Sequence, residues 1–334
     1  MYDTLAMLFA CQPITSFDSP RHDVQIEIMH TTIAQAIENE ADAAIQRIRY
    51  SDILLLIPIF IIQESIAMQA LLLAFLAILF YLSAGTWQGF ALARRVEVHP
   101  QLVRGLGAVA VIAHAAVVYN TLNADHGLRL GMFESASLIC WLIAALLIAV
   151  SFVKPVLSAA TALFPLAALS VLGVIGLPSS MIASHISPGV LVHILTSILA
   201  YSLLAIASVQ AVLLAFQSQA LKRHHTRGIV QVLPPLTTME RLLFELITVG
   251  MVLLTASIIS GSLFIHDMFA QHLAHKTILS FIAWVVFGIL LWGRHYRGWR
   301  GSTAVRWTLG GIIILFLAYF GSKFVLEFIY HREW

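Results

Sequence analysis

Apolar residues gather along this chain into eight long runs, near 68–88, 102–122, 132–153, 155–177, 190–216, 242–265, 276–293 and 305–329, with polar residues between them. A helix that crosses about 30 Å of hydrocarbon takes about 20 residues, because backbone polar groups in lipid have to be satisfied within the segment. The pattern predicts an all-α fold, a polytopic membrane bundle of about eight transmembrane helices spanning 68–334.

Residues 1–67 follow a different pattern. Asp18, Arg21, Asp23, Glu27, Glu38, Glu40 and Asp42 are scattered around a weak helical periodicity from Thr32 to Arg49, and a ten-residue apolar run, Ile53 to Ile62, is broken by Pro58. That run is too short to span comfortably and is not followed by a cleavage signal. Two readings stay open: an interfacial helix against the outer leaflet, or an N-terminal extension outside the natural product, with Met68 as the start.

Composition points the same way. With 60% hydrophobic and 11% charged residues in 334, and a mean hydropathy of +0.89, the chain has too little polar surface to cover a soluble globule. Arg94, Arg95, Arg104, Lys154, Lys222, Arg223, Arg227, Arg241, Arg294, Arg297, Arg300 and Arg306, twelve of the 19 basic residues, fall on the connections after the first, third, fifth and seventh runs. Those connections are expected in the cytoplasm, and the even-numbered loops and the C-terminus outside. The net charge of +2 is therefore topological, and nucleic acid is not an expected partner.

Soluble-type catalytic motifs are absent: there is no Walker loop, H-E-x-x-H or G-x-S-x-G, and Cys11 and Cys140 form no C-x-x-C or haem-attachment pair. The expectation is a protein that is not an enzyme.

Histidine sets the chain apart from a generic bundle. His126, His185, His193, His266, His272, His275 and His331, half of the 14, lie in or near outward segments. Neutral imidazole ligates iron and tolerates an interface, so a cofactor held at the outer surface is the functional expectation. His193, with Ser197 and Tyr201 at i+4 and i+8, makes a polar stripe that needs partners inside the bundle, as a haem ligand or through interhelical hydrogen bonds. His275, beside Lys276, reads as a ligand or as an interfacial snorkelling pair. His114 is mid-span, a ligand, a relay or a cross-helix hydrogen bond. Glu134 and Glu245 near helix starts read as dipole caps, and Lys323 and Glu327 as an i,i+4 pair. Trp141 and Trp284 lie deep enough either to flank a flat ligand or to pack in the core, and the remaining tryptophans fit an interfacial belt.

Certain segments carry a resemblance. Gly131-Met132-Phe133-Glu134-Ser135 running on to Trp141, Leu191-Val192-His193 followed by Ala200-Tyr201, Pro234-Pro235-Leu236 to Glu240-Arg241, Leu290-Leu291-Trp292-Gly293 and Ala318-Tyr319-Phe320-Gly321-Ser322 resemble the cytochrome c assembly superfamily that includes CcsA, ResC and CcmC. Its YpjD/HemX-like branch is the most similar. The resemblance runs from about Met68 to the end and implies haem b handling at the outer face of a bacterial inner membrane. It implies His193 as an external axial ligand and His126 where a further histidine precedes the Glu-Ser segment. Two features depart from the pattern: residues 266–276 contain no tryptophan where the superfamily has a tryptophan-rich stretch, and Leu291-Trp292-Gly293-Arg294 replaces a Leu-His-x-Arg.

The expected function is thus haem binding or haem handling in c-type cytochrome assembly. His193 and His275 are the metal ligands, with His114, His126, Tyr201, Glu134 and Trp284 as further candidates around the cofactor, and other membrane assembly proteins and the lipid bilayer are the partners. The alternative is a non-haem accessory or regulatory subunit on the same scaffold, linked to ion homeostasis. A self-sufficient transporter is disfavoured, because no inverted repeat is visible and Pro165 is a single kink site.

Overall fold

The computed structural model describes residues 20–93, 96–124, 127–129, 131–177, 182–183, 187–224, 229–264 and 274–321. Nearly all of them are helical: α1 Pro20–Leu92, α2 Pro100–Leu122, α3 Met132–Ser151, α4 Ala160–Gly176 after a 3-10 turn at Leu157–Ala159, α5 Pro188–Lys222, the short α6 Ile229–Val232, α7 Leu236–Phe264, α8 Ala274–Arg297 and α9 Gly301–Phe316, the last continuing as a π turn through Leu317–Gly321. The chain divides into two units, Met1–Ile66 and Ala67–Trp334. In the first, Ile33 and Ile37 on α1 are exposed.

Among the described residues the second unit holds eight segments long and apolar enough to cross a membrane, beginning with Met68–Leu92 and ending with Gly301–Gly321. The chain is a multi-pass membrane protein. Their bounds follow the apolar runs within a few residues, except that α5 continues to Lys222, α7 begins at Leu236, and the expected end of the eighth run at 329 lies outside the described residues. A helix of 35 residues such as α5 is about 50 Å long, well beyond the bilayer core, so its basic end reaches out of the hydrocarbon. Phe75, Ile112, Leu169, Val252 and Phe281 are exposed on helix faces, where only lipid can satisfy large apolar side chains.

Start signals are local. Pro100 and Pro188 occupy first-turn positions where the missing N–H costs nothing, and Ser187 Oγ accepts from the Val190 N–H at 3.4 Å. Packing between helices uses small residues, as expected where lipid gives no hydrophobic drive for helix association. Gly107 faces Phe164 and Ile148, Gly311 faces Phe287, and Gly250 faces Leu204. The most extensive helix pair is α5 with α7.

The connections expected as plain loops contain a small antiparallel sheet. β1 Asn123–Ala124 pairs with β2 Gly127–Arg129, which pairs with β3 Ile182–Ala183, in register Asn123↔Leu128 and Leu128↔Ala183. The sheet ties the α2–α3 connection to the α4–α5 connection. Strands this short have no alternation for a sequence reading to detect.

At the opposite end polar side chains do the tying. Lys154 Nζ donates to Glu245 at 2.8 Å, Arg241 Nε donates to the same carboxylate at 2.9 Å, and Arg104 donates to the Ser151 hydroxyl and carbonyl. Glu245 is therefore not a helix cap as expected. It is the tenth residue of α7 and bridges the α3–α4 connection. Glu240, buried, accepts from the Gly301 N–H at 2.9 Å and faces Arg300 at 3.5 Å, so it caps α9 from another helix.

Candidate functional site

His193 lies in the second turn of α5, half-buried against α7. Its Nδ1 stands 2.8 Å from the Ser257 carbonyl oxygen. A carbonyl can only accept, so Nδ1 carries the proton, and the lone pair of a neutral imidazole in this place is on Nε2. Among the described residues Nε2 has no hydrogen-bond partner. A histidine held at Nδ1–H by a backbone carbonyl with its other nitrogen open is the arrangement metal-ligating imidazoles use.

Serines buttress this contact. Ser197 Oγ donates to the His193 carbonyl at 2.6 Å, which uses its single proton. Ser257 must then be the donor in the 2.6 Å hydroxyl contact with Ser197, and Ser260 Oγ donates to the Ser257 carbonyl at 3.0 Å. Gly261, one helical turn beyond Ser257, lies directly under the imidazole.

Two turns along α5 from His193, the Tyr201 hydroxyl donates to the Leu315 carbonyl at 2.6 Å, just ahead of the π turn in α9. Its ring meets Tyr319 edge-on at 5.9 Å, and Tyr319 in turn hydrogen-bonds Ser135 on α3. Glu134, the third residue of α3, is buried beside Ser135. The polar stripe on α5 thus finds partners on α7 and α9.

The other candidates go elsewhere. His114 is fully buried between Tyr81 Oη at 3.3 Å and Ser137 Oγ at 2.9 Å, so both ring nitrogens are engaged and α1, α2 and α3 are tied at mid-span. Trp284 donates Nε1 to Thr255 Oγ1 at 2.9 Å and stacks on Phe281. Trp141 donates to the Val111 carbonyl at 3.0 Å. His275 is exposed in the first turn of α8 and shares no hydrogen bond or ring contact with His193. His126, the other outward histidines and the Lys323–Glu327 pair lie outside the described residues. Among the described residues no three His, Cys, Asp or Glu side chains converge as a metal site.

Some participants had no sequence signature. The acceptors for His193 and Tyr201 are backbone carbonyls, which every residue carries. Tyr81 and Ser137, which close on His114, look like ordinary members of apolar helices.

A family model described as cytochrome C assembly protein matches residues 102–330, most of the chain. The chain belongs to that family. It is 40% identical over 143 residues to inner membrane protein YpjD of Escherichia coli (strain K12), covering 43% of this chain and 54% of that protein. It is 34% identical over 145 residues to an uncharacterized 28.8 kDa protein of Azospirillum brasilense, covering 42% and 54%. A longer match, 26% identical over 259 residues, is to the cytochrome c biogenesis protein CcsA of Prochlorococcus marinus, covering 67% of this chain and 81% of that one. The chain spans about half the length of the first two of these relatives. No solved structure matches.

Proposed function

We propose that this family member is an inner-membrane protein of c-type cytochrome biogenesis that binds haem as its cargo at the outer face, with His193 as an axial ligand. The observation that carries the reading is the His193 geometry: Nδ1–H on the Ser257 carbonyl and an Nε2 lone pair without a partner among the described residues. The donor set fits iron, since neutral imidazole is a common haem ligand and a carbonyl-held Nδ1–H raises its basicity. His275 is the second ligand. It is exposed at the start of α8, at the end of the bundle where α7 finishes beside His193.

The face is outer because the basic connections, with Lys154, Arg223 and Arg300, lie at the other end. The CcsA and YpjD relatives, named for cytochrome c biogenesis and the inner membrane, support the assignment. The chain's part is ligation, burial and orientation; covalent attachment belongs to partner membrane proteins of the same pathway.

The test is the absorption spectrum of protein purified from haem-replete cells. Pigmented wild type, a Soret band lost in His193→Ala and a band retained in His114→Ala support the reading. Colourless wild type overturns it and favours the non-haem accessory role, for which the missing tryptophans of 266–276 speak.

A further inference from the structure

Resting on the haem reading, we propose that Gly261 is a positioning residue for the His193 ligand: the bare α7 surface there lets the imidazole lie flat with Nδ1 on the Ser257 carbonyl, which fixes where Nε2 points. A Cβ at residue 261 would stand 3.0 Å from both Cε1 and Nδ1 of His193. A contact that tight makes the neighbour give by a few tenths of an ångström, and the neighbour here is the imidazole.

The ring can yield only by stretching its anchor. Its Nδ1 is 2.8 Å from the Ser257 oxygen, and the His193 backbone is held by Ser197. Moving the ring away from residue 261 by the few tenths of an ångström required therefore lengthens the Nδ1–H bond. The tautomer is then less firmly set, and Nε2 turns from its direction. Ser260 Oγ, already 3.0 Å from the same carbonyl, stands ready to take it over. Loss of a partner of this kind weakens metal or cofactor binding about 10- to 100-fold. The ligand also becomes less anionic, which moves the reduction potential of a bound iron to more positive values.

A packing role is the competing explanation, and the same helix pair supplies the control. Gly250 lies on α7 against α5 as Gly261 does, but its Cβ would meet the Leu204 side chain, at 2.8 Å. Gly250→Ala disturbs α5–α7 packing and leaves His193 untouched.

Full-length wild type, Gly261→Ala, Gly261→Val and Gly250→Ala are purified in detergent, shown monodisperse, stripped of pigment and titrated with hemin, with reduction potentials recorded at saturation. The expected result is tight binding by wild type and Gly250→Ala, binding weakened about tenfold with a positive shift in potential for Gly261→Ala, and a larger loss for Gly261→Val. Equal effects of the Gly250 and Gly261 substitutions, or unchanged hemin affinity and potential in Gly261→Ala, overturn the proposal while leaving haem binding intact. Should Gly261→Val fail to fold, the potential of Gly261→Ala alone decides. A wild type that takes up no hemin removes the haem reading itself.

Discussion

A buried imidazole in a membrane helix has two ways to be satisfied, and the two central histidines of this chain take different ones. His114 spends both nitrogens on Tyr81 and Ser137, so it is a cross-helix tie with no lone pair to offer. His193 spends one on the Ser257 carbonyl and keeps the other. Removing each side chain therefore has distinguishable results. His114→Ala leaves two buried hydroxyls without their partner, and a loss of about 1–3 kcal/mol is expected, seen as a lower thermal midpoint in detergent with pigment retained. His193→Ala is expected to lose the pigment with little change in midpoint, because its ring sits half-exposed at the bundle end.

At the scale of helices, ends and irregularities are fixed by partners from other elements. Tyr201→Phe strips the donor from the Leu315 carbonyl ahead of the π turn; a loss of about 1 kcal/mol is expected, read as earlier thermal unfolding. Glu240→Ala leaves the first N–H of α9 uncapped, at a similar cost of about 1 kcal/mol; the exposed Arg300 adds little to it. The C-terminus of α5 runs the other way. His224 follows the cap residue Arg223 with φ +57, the left-handed region that a side chain resists, and its N–H donates to the Leu221 carbonyl at 3.1 Å. His224→Gly is therefore expected to raise the thermal midpoint, and a fall or no change would show that the imidazole makes up for the strain.

At the scale of the whole second unit, Ala67–Trp334, the distribution of charge and the two kinds of end closure describe an asymmetric bundle. One end is tied by the ion pairs of Lys154, Arg241 and Glu245 and by Glu240 of α7 capping α9; the other is tied by a three-stranded sheet and carries His193. The proposed orientation, with the basic end in the cytoplasm, makes alkaline phosphatase fused after Leu177 expected to be active and after His224 inactive. The reverse pattern would put His193 on the wrong side for the proposed role.

The apolar runs by themselves determined the all-α class, the number of spans and their approximate bounds, because burial in hydrocarbon demands a continuous helix of a certain length whatever it packs against. The same runs made His193, Ser197 and Tyr201 conspicuous as polar positions on one face of an apolar helix. Only the tertiary structure decided what those side chains do. Whether an imidazole is tied at both nitrogens or at one depends on which neighbour reaches each nitrogen, and here those neighbours are the Ser257 carbonyl on α7 and hydroxyls from α1 and α3. The pairing of Asn123–Ala124, Gly127–Arg129 and Ile182–Ala183, and the transfer of Glu245 from an expected cap to an ion pair, were equally hidden, since contacts between segments far apart in the chain leave no local periodicity to read.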